Sequence, residues 1–102
     1  MNQPSSLPES STLYIDEGNG LTPIVTVRNG HIDQVDAMRA IERGAQAAEI
    51  RRGGALQYAI ARVSRTSRQY WFRTSAGGPF FYDLADLPGL ITHLEARPDR
   101  GY

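Results

Sequence analysis

The chain has 102 residues, no cysteine and no lysine, and its eleven arginines balance eleven acidic side chains. A chain of this length folds as one domain that buries about 60–68% of its unfolded surface, so it needs neither metal nor disulfide to hold a core. Without a thiol, structural disulfides, thiol catalysis, zinc–thiolate sites and iron–sulfur clusters are excluded.

The first residues, "MNQPSSLPESS", have neither the basic nor the apolar segment of an export signal. No apolar run approaches the roughly 18 residues of a membrane span, so a soluble, cytoplasmic protein with no membrane partner is expected. Residues 1–11 hold little to bury and predict a disordered N-terminal arm, ahead of a single domain over 12–96 and a polar tail over 97–102.

Order is expected to begin near "TLYID". That run and "PIVTVR" are separated by the turn-rich "EGNGLT", the pattern of a hairpin with a long loop. A helix follows, with Asp33 as N-cap and Asp36 near the positive end of its dipole. Val35, Met38, Ile41, Ala45 and Ala48 recur at helical spacing. Gly44 predicts a stop or kink; the alternative is a helix that runs on to "RRGG".

From Leu56 the period changes to two, with Leu56, Tyr58 and Ile60 on one face and Gln57, Ala59, Ala61 and Val63 on the other. "SRTSR" turns the chain into "QYWFRTS", which sets Tyr70 and Phe72 opposite Trp71 and Arg73. "SAGG" then turns it into "PFFYD", with Phe80 and Tyr82 opposed to Phe81. A last helix carries Leu87, Leu90, Ile91 and Leu94 as its apolar stripe, with Asp86 as cap and Pro88 in the first turn.

The order β-β-α-β-β-β-α predicts an α+β fold, a small antiparallel sheet with two helices packed on it. If both helices lie on one face, the face bearing Trp71, Val63 and the small alanines stays open. If they lie on opposite faces, Trp71 is core.

Catalytic patterns are sparse. "GNG" and "AGG" lack the strand–loop–helix setting of a phosphate loop and are explained as turns. His93 suits the negative end of the last helix, and Asp83 with Asp86 resembles a carboxylate dyad only by proximity, with Asp86 better read as a helix cap. Serine, histidine and acid are all present, but no nucleophile elbow accompanies them. No catalytic residue, metal or cofactor is expected.

The charges are unevenly laid out. Residues 1–50 hold three arginines against seven acids, residues 51–82 hold six arginines and no acid, and residues 83–102 hold two arginines against four acids. The stretch "ARVSRTSRQYWFRTS" combines arginines with three consecutive aromatic residues. It points to a non-enzymatic protein-binding module, an adaptor or inhibitor of the kind phages and mobile elements encode, with Arg62, Arg65, Arg68, Trp71 and Arg73 as contacts. The alternative is nucleic acid bound by the same hairpin, with rings stacking on bases and guanidiniums on phosphates. A pI of about 6.7 opposes it. The acidic flanks also suit a homodimer in which they meet the basic middle.

"NGHIDQVDAMRAIERGAQAAEIRR", followed by "YAIARV", "RQYWFR", "GGPFFYD" and "LADLPGLITHL", loosely resembles the helix, three strands and helix of an SH2 domain. The resemblance implies a strand ending in "AEIRR" and a second anion site at Arg51 or Arg52 for a phosphotyrosine. Gln69 and Gln34 depart from that family's pattern, and the N-terminal hairpin has no counterpart in it.

Overall fold

Alternating burial defines the first strand of the computed structural model, which describes residues 9–96: Ser11, Leu13 and Ile15 are buried and the residues between them are not. This strand, β1 (Ser10–Asp16), begins two residues before "TLYID", because Ser11 is enclosed and its hydroxyl donates to the carbonyl of Gly30 at 2.7 Å. The remainder of the expected arm and the expected tail lie outside the described residues. Asp16 closes β1 by accepting from the backbone N–H groups of Gly18 and Gly20, which shapes the loop into β2 (Leu21–Arg28).

Helix α1 (Gln34–Glu42) starts as the sequence predicts. Asp33 is its N-cap and accepts from the Val35 N–H at 3.0 Å. It ends at Arg43, and Gly44 follows with φ +109°, a conformation that costs glycine little and other residues more. Ala45 and Ala48 therefore do not extend the helical stripe. Residues Ala47–Arg52 form strand β3 instead, one strand more than the element order read from sequence. β4 (Ala55–Arg62), β5 (Gln69–Thr74) and β6 (Gly77–Asp83) follow, and a 3₁₀ turn at Leu84–Asp86 leads into α2 (Leu87–Glu95). Asp83 caps that turn by accepting from the Ala85 N–H, whereas Asp86 precedes α2 without a side-chain cap bond.

All pairings are antiparallel, and the strand order is β2-β1-β3-β4-β5-β6. The α+β class with two helices on an antiparallel sheet is thus the observed one. A register shift in β4 leaves Gln57 unpaired and moves Leu56 to the face opposite Tyr58 and Ile60, where strict alternation had placed it with them.

Both helices pack on one face. Val35, Met38 and Ile41 of α1 and Leu87 and Ile91 of α2 share one cluster with Leu13, Ile15, Ala48, Ile50, Tyr58, Ile60 and Tyr70. Each large aliphatic side chain there contributes about 1.5–3 kcal/mol by leaving water. The helices are tied to each other by Arg39 and Glu95.

Two buried phenols stand out in this core. Neither Tyr58 nor Tyr70 has a hydroxyl partner among the described residues. Burial, reinforced by the neighbouring Tyr70, raises the Tyr58 phenol far above its ordinary value near 10, so the folded chain keeps a proton that the unfolded chain releases. Stability from this group is complete below about pH 10 and declines as pH rises beyond it. Tyr58→Phe removes an unsatisfied hydroxyl and is expected to raise stability by about 1 kcal/mol, or about 4–8 °C in Tm, and to soften the alkaline decline, both readable by calorimetry. Gly44→Ala meets no atom within 4 Å of the new methyl, so its expected cost of about 1 kcal/mol in urea unfolding is conformational alone.

Candidate binding surface

Opposite the helices, antiparallel register lines side chains into rows that no described element covers. One row runs Asp16, Ala47, Ala61, Trp71, Phe81, and the next runs Tyr14, Glu49, Ala59, Arg73. Alanine forms the floor on β3 and β4, while Tyr14 stands at one side and Trp71, Arg73 and Phe81 stand at the other. Ala59 is only 4% exposed although it lies outside the helix-side cluster, as expected of a methyl group set below larger neighbours. Trp71 is partly buried against this surface, and Phe81 is 59% exposed.

The five residues expected to make contacts do not form one patch. Trp71 and Arg73 share the open face through their common phase on β5. Arg65 and Arg68 are exposed in the loop 63–68, at the end of the sheet. Arg62 points to the helix side: its Nε donates to the Ala45 carbonyl and its Nη2 to the Ile41 carbonyl, both at 3.1 Å. Helix C-terminal carbonyls lack intrahelical partners and carry partial negative charge, so a guanidinium there clamps α1 to the sheet. Arg62 and Arg65 line an open cleft of about 330 Å³ with Glu17, Gly18, Gly44 and Gln46.

Arg51 and Arg52 diverge at the other end of the sheet. Arg51 lies on the open face, where it donates to Glu49 at 2.8–2.9 Å and stacks 5.9 Å from the Tyr14 ring centre. Arg52 points the other way, donating to His31 Nε2 at 2.8 Å, with the Glu9 carboxylate 3.4 Å from its Nε. A phosphotyrosine at either guanidinium has a resident carboxylate to displace. Among the described residues, no carboxylate lies within ion-pair distance of Arg65, Arg68 or Arg73, and these keep their charge available to a partner. No described group of three or more histidine and acidic side chains is placed to hold a metal, and no described helix is long and apolar enough to cross a membrane.

Phe81 is the addition that sequence reasoning did not single out. Its phase on β6, opposite Phe80 and Tyr82, was the available signal, and its value emerges only because β5 sets it beside Trp71. No protein-family model matches the chain, and neither a curated protein nor a solved structure shows significant similarity to it.

The split among the arginines has a measurable consequence. Arg62→Ala loses two charge-assisted bonds and is expected to cost about 2–3 kcal/mol in urea unfolding, whereas Arg65→Ala and Arg68→Ala stay within about 0.5 kcal/mol of the parent.

Proposed function

We propose that this chain is a non-enzymatic protein-binding module, an adaptor or inhibitor, whose partner presents a surface both apolar and acidic. The observation that carries this reading is the uncovered sheet face with Trp71, Phe81 and Arg73 side by side. Large apolar groups in a contiguous patch are uncommon on the outside of a domain that functions alone. Tryptophan and arginine are the residue types that dominate interface energies, because each removes much surface from water and keeps a directed polar group. Arg65 and Arg68, which form no ion pair among the described residues, add long-range attraction that guides an acidic partner toward the same end of the sheet.

The experiment is affinity capture with the wild-type chain, followed by quantitative binding of each recovered partner to Trp71→Ala and to the double variant Arg65→Glu, Arg68→Glu. Loss of about 2 kcal/mol for Trp71→Ala, roughly 30-fold in Kd, together with a slower association rate for the charge reversal, is the expected result. Partners whose binding ignores both variants count against this surface.

The adjacency of Trp71 and Phe81 also suits two stacked bases of a single-stranded nucleic acid, with Arg73 on a phosphate. That alternative is distinguished by salt. Oligonucleotide binding that weakens steeply between about 50 and 200 mM salt supports it, and weak binding that is flat with salt removes it.

A further inference from the structure

Among the described residues the sheet has two unpaired edges, and they differ in a way that points to a second copy of this chain. Along β2 the regular ladder is interrupted: Pro23 sits within the strand, and a register shift leaves Ile24 without an opposite residue on β1. A bulge and a proline are the usual means by which an edge is made unsuitable for further pairing. The other edge, β6, also has a proline and an irregularity, but both lie at its start, at Pro79 and opposite Arg73, and the strand runs regularly from Phe80 to Asp83. It carries no cation, and Phe80, Phe81 and Tyr82 are 47%, 59% and 40% exposed.

The hydrogen-bond phase of β6 follows from two bonds at its end of the sheet. The Leu84 N–H donates to the Arg68 carbonyl at 2.7 Å, and the Val63 N–H donates to the Gln69 carbonyl at 2.9 Å. Alternation from those points turns the backbone groups of Phe80 and Tyr82 inward to β5 and those of Phe81 and Asp83 outward to the free edge.

We propose that two copies pair antiparallel along residues 79–83 about a twofold axis at Phe81, joining two six-stranded sheets into one of twelve. In this register the two Phe81 residues exchange a pair of backbone bonds, and their rings meet on the open face. Phe80 of each copy lies opposite Tyr82 of the other on the helix side, so each exposed aromatic ring gains an aromatic cross-strand neighbour. Asp83 lies opposite Pro79 of the second copy, a residue with no N–H to leave unpaired. Its carboxylate stands diagonally across the seam from Arg73, which has no described carboxylate partner within its own chain. Registers displaced by one residue place Phe80 and Tyr82 opposite side chains of the other face, and registers displaced by two set Phe81 opposite Asp83 or Pro79, so the aromatic cross-strand pairs favour this one.

The dimer rests on the β6 backbone and its aromatic rings, with Asp83 and Arg73 as the one place where an acidic flank meets the basic middle, and it does not depend on the module's partner. It brings the two open faces together as one continuous surface with the pair of Phe81 rings at its centre.

The test is sedimentation equilibrium of the full chain, with circular dichroism to verify that each variant is folded. The wild type is expected at twice 11.3 kDa in the micromolar range. Phe81→Lys is expected at the monomer mass with unchanged dichroism, Arg73→Glu is expected to weaken association at least about tenfold, and Ile24→Lys on the other edge is expected to leave it unchanged. A wild type that stays monomeric to about 0.5 mM overturns the proposal, as does a Phe81→Lys variant that remains dimeric. Dissociation by Ile24→Lys with Phe81→Lys unaffected assigns the contact to β2 and overturns it equally. If Phe81→Lys fails to fold, Arg73→Glu decides alone, and undiminished dimerisation rejects the seam.

Discussion

Two nine-residue helices cannot cover both faces of a sheet six strands wide, and that disproportion governs the surface of this molecule. Each helix is about 14 Å long and about 10 Å across, against a sheet that spans roughly 24 Å between its outer strands. Both helices are spent on the middle of one face. No described element covers the opposite face, and the helix-side residues of the outer strands, Val25 and Val27 on β2 and Phe80 and Tyr82 on β6, remain substantially exposed. An apolar residue in this chain is therefore not automatically a core residue. Its strand and its phase decide.

The phase of β5 was legible in the sequence, since Tyr70 and Phe72 alternate with Trp71 and Arg73. Whether the Trp71 face was covered as well was not, because the sequence does not show that both helices share one face. Asp33 as a cap and Gly44 as a helix end were legible for local reasons, a side chain reaching a nearby N–H and a positive φ. Strand β3 was hidden from the hydrophobic periodicity, although the SH2 resemblance implied a strand ending in "AEIRR". "AAEIRR" is made mostly of residues at home in helices, and Ala45 and Ala48 fall at helical spacing from Ile41. Position between β1 and β4 overrides that preference by pairing both edges of the segment. The bulge at Gln57 and the turn of Arg62 toward the Ile41 carbonyl are tertiary facts with no sequence pattern of their own.

The charge layout was legible and only partly informative. Six arginines with no acid among residues 51–82 suggested a single basic zone, yet folding distributes them. Arg51 and Arg52 find Glu49 and Glu9, Arg62 finds the carbonyls of Ile41 in α1 and Ala45 just beyond it, and Arg65, Arg68 and Arg73 are left facing outward. Neighbours in the chain alternate across a strand, so a run of like charge in sequence divides between two faces unless a loop collects it.

The alanine floor at Ala47 and Ala61 carries a consequence for how such a protein can diversify. These methyl groups lie on the side of the sheet away from the packed helices, so a larger residue at either position adds bulk outward and leaves the interior undisturbed. Recognition can be recontoured there while folding free energy stays nearly constant, a separation of specificity from stability that a fully sandwiched sheet does not permit.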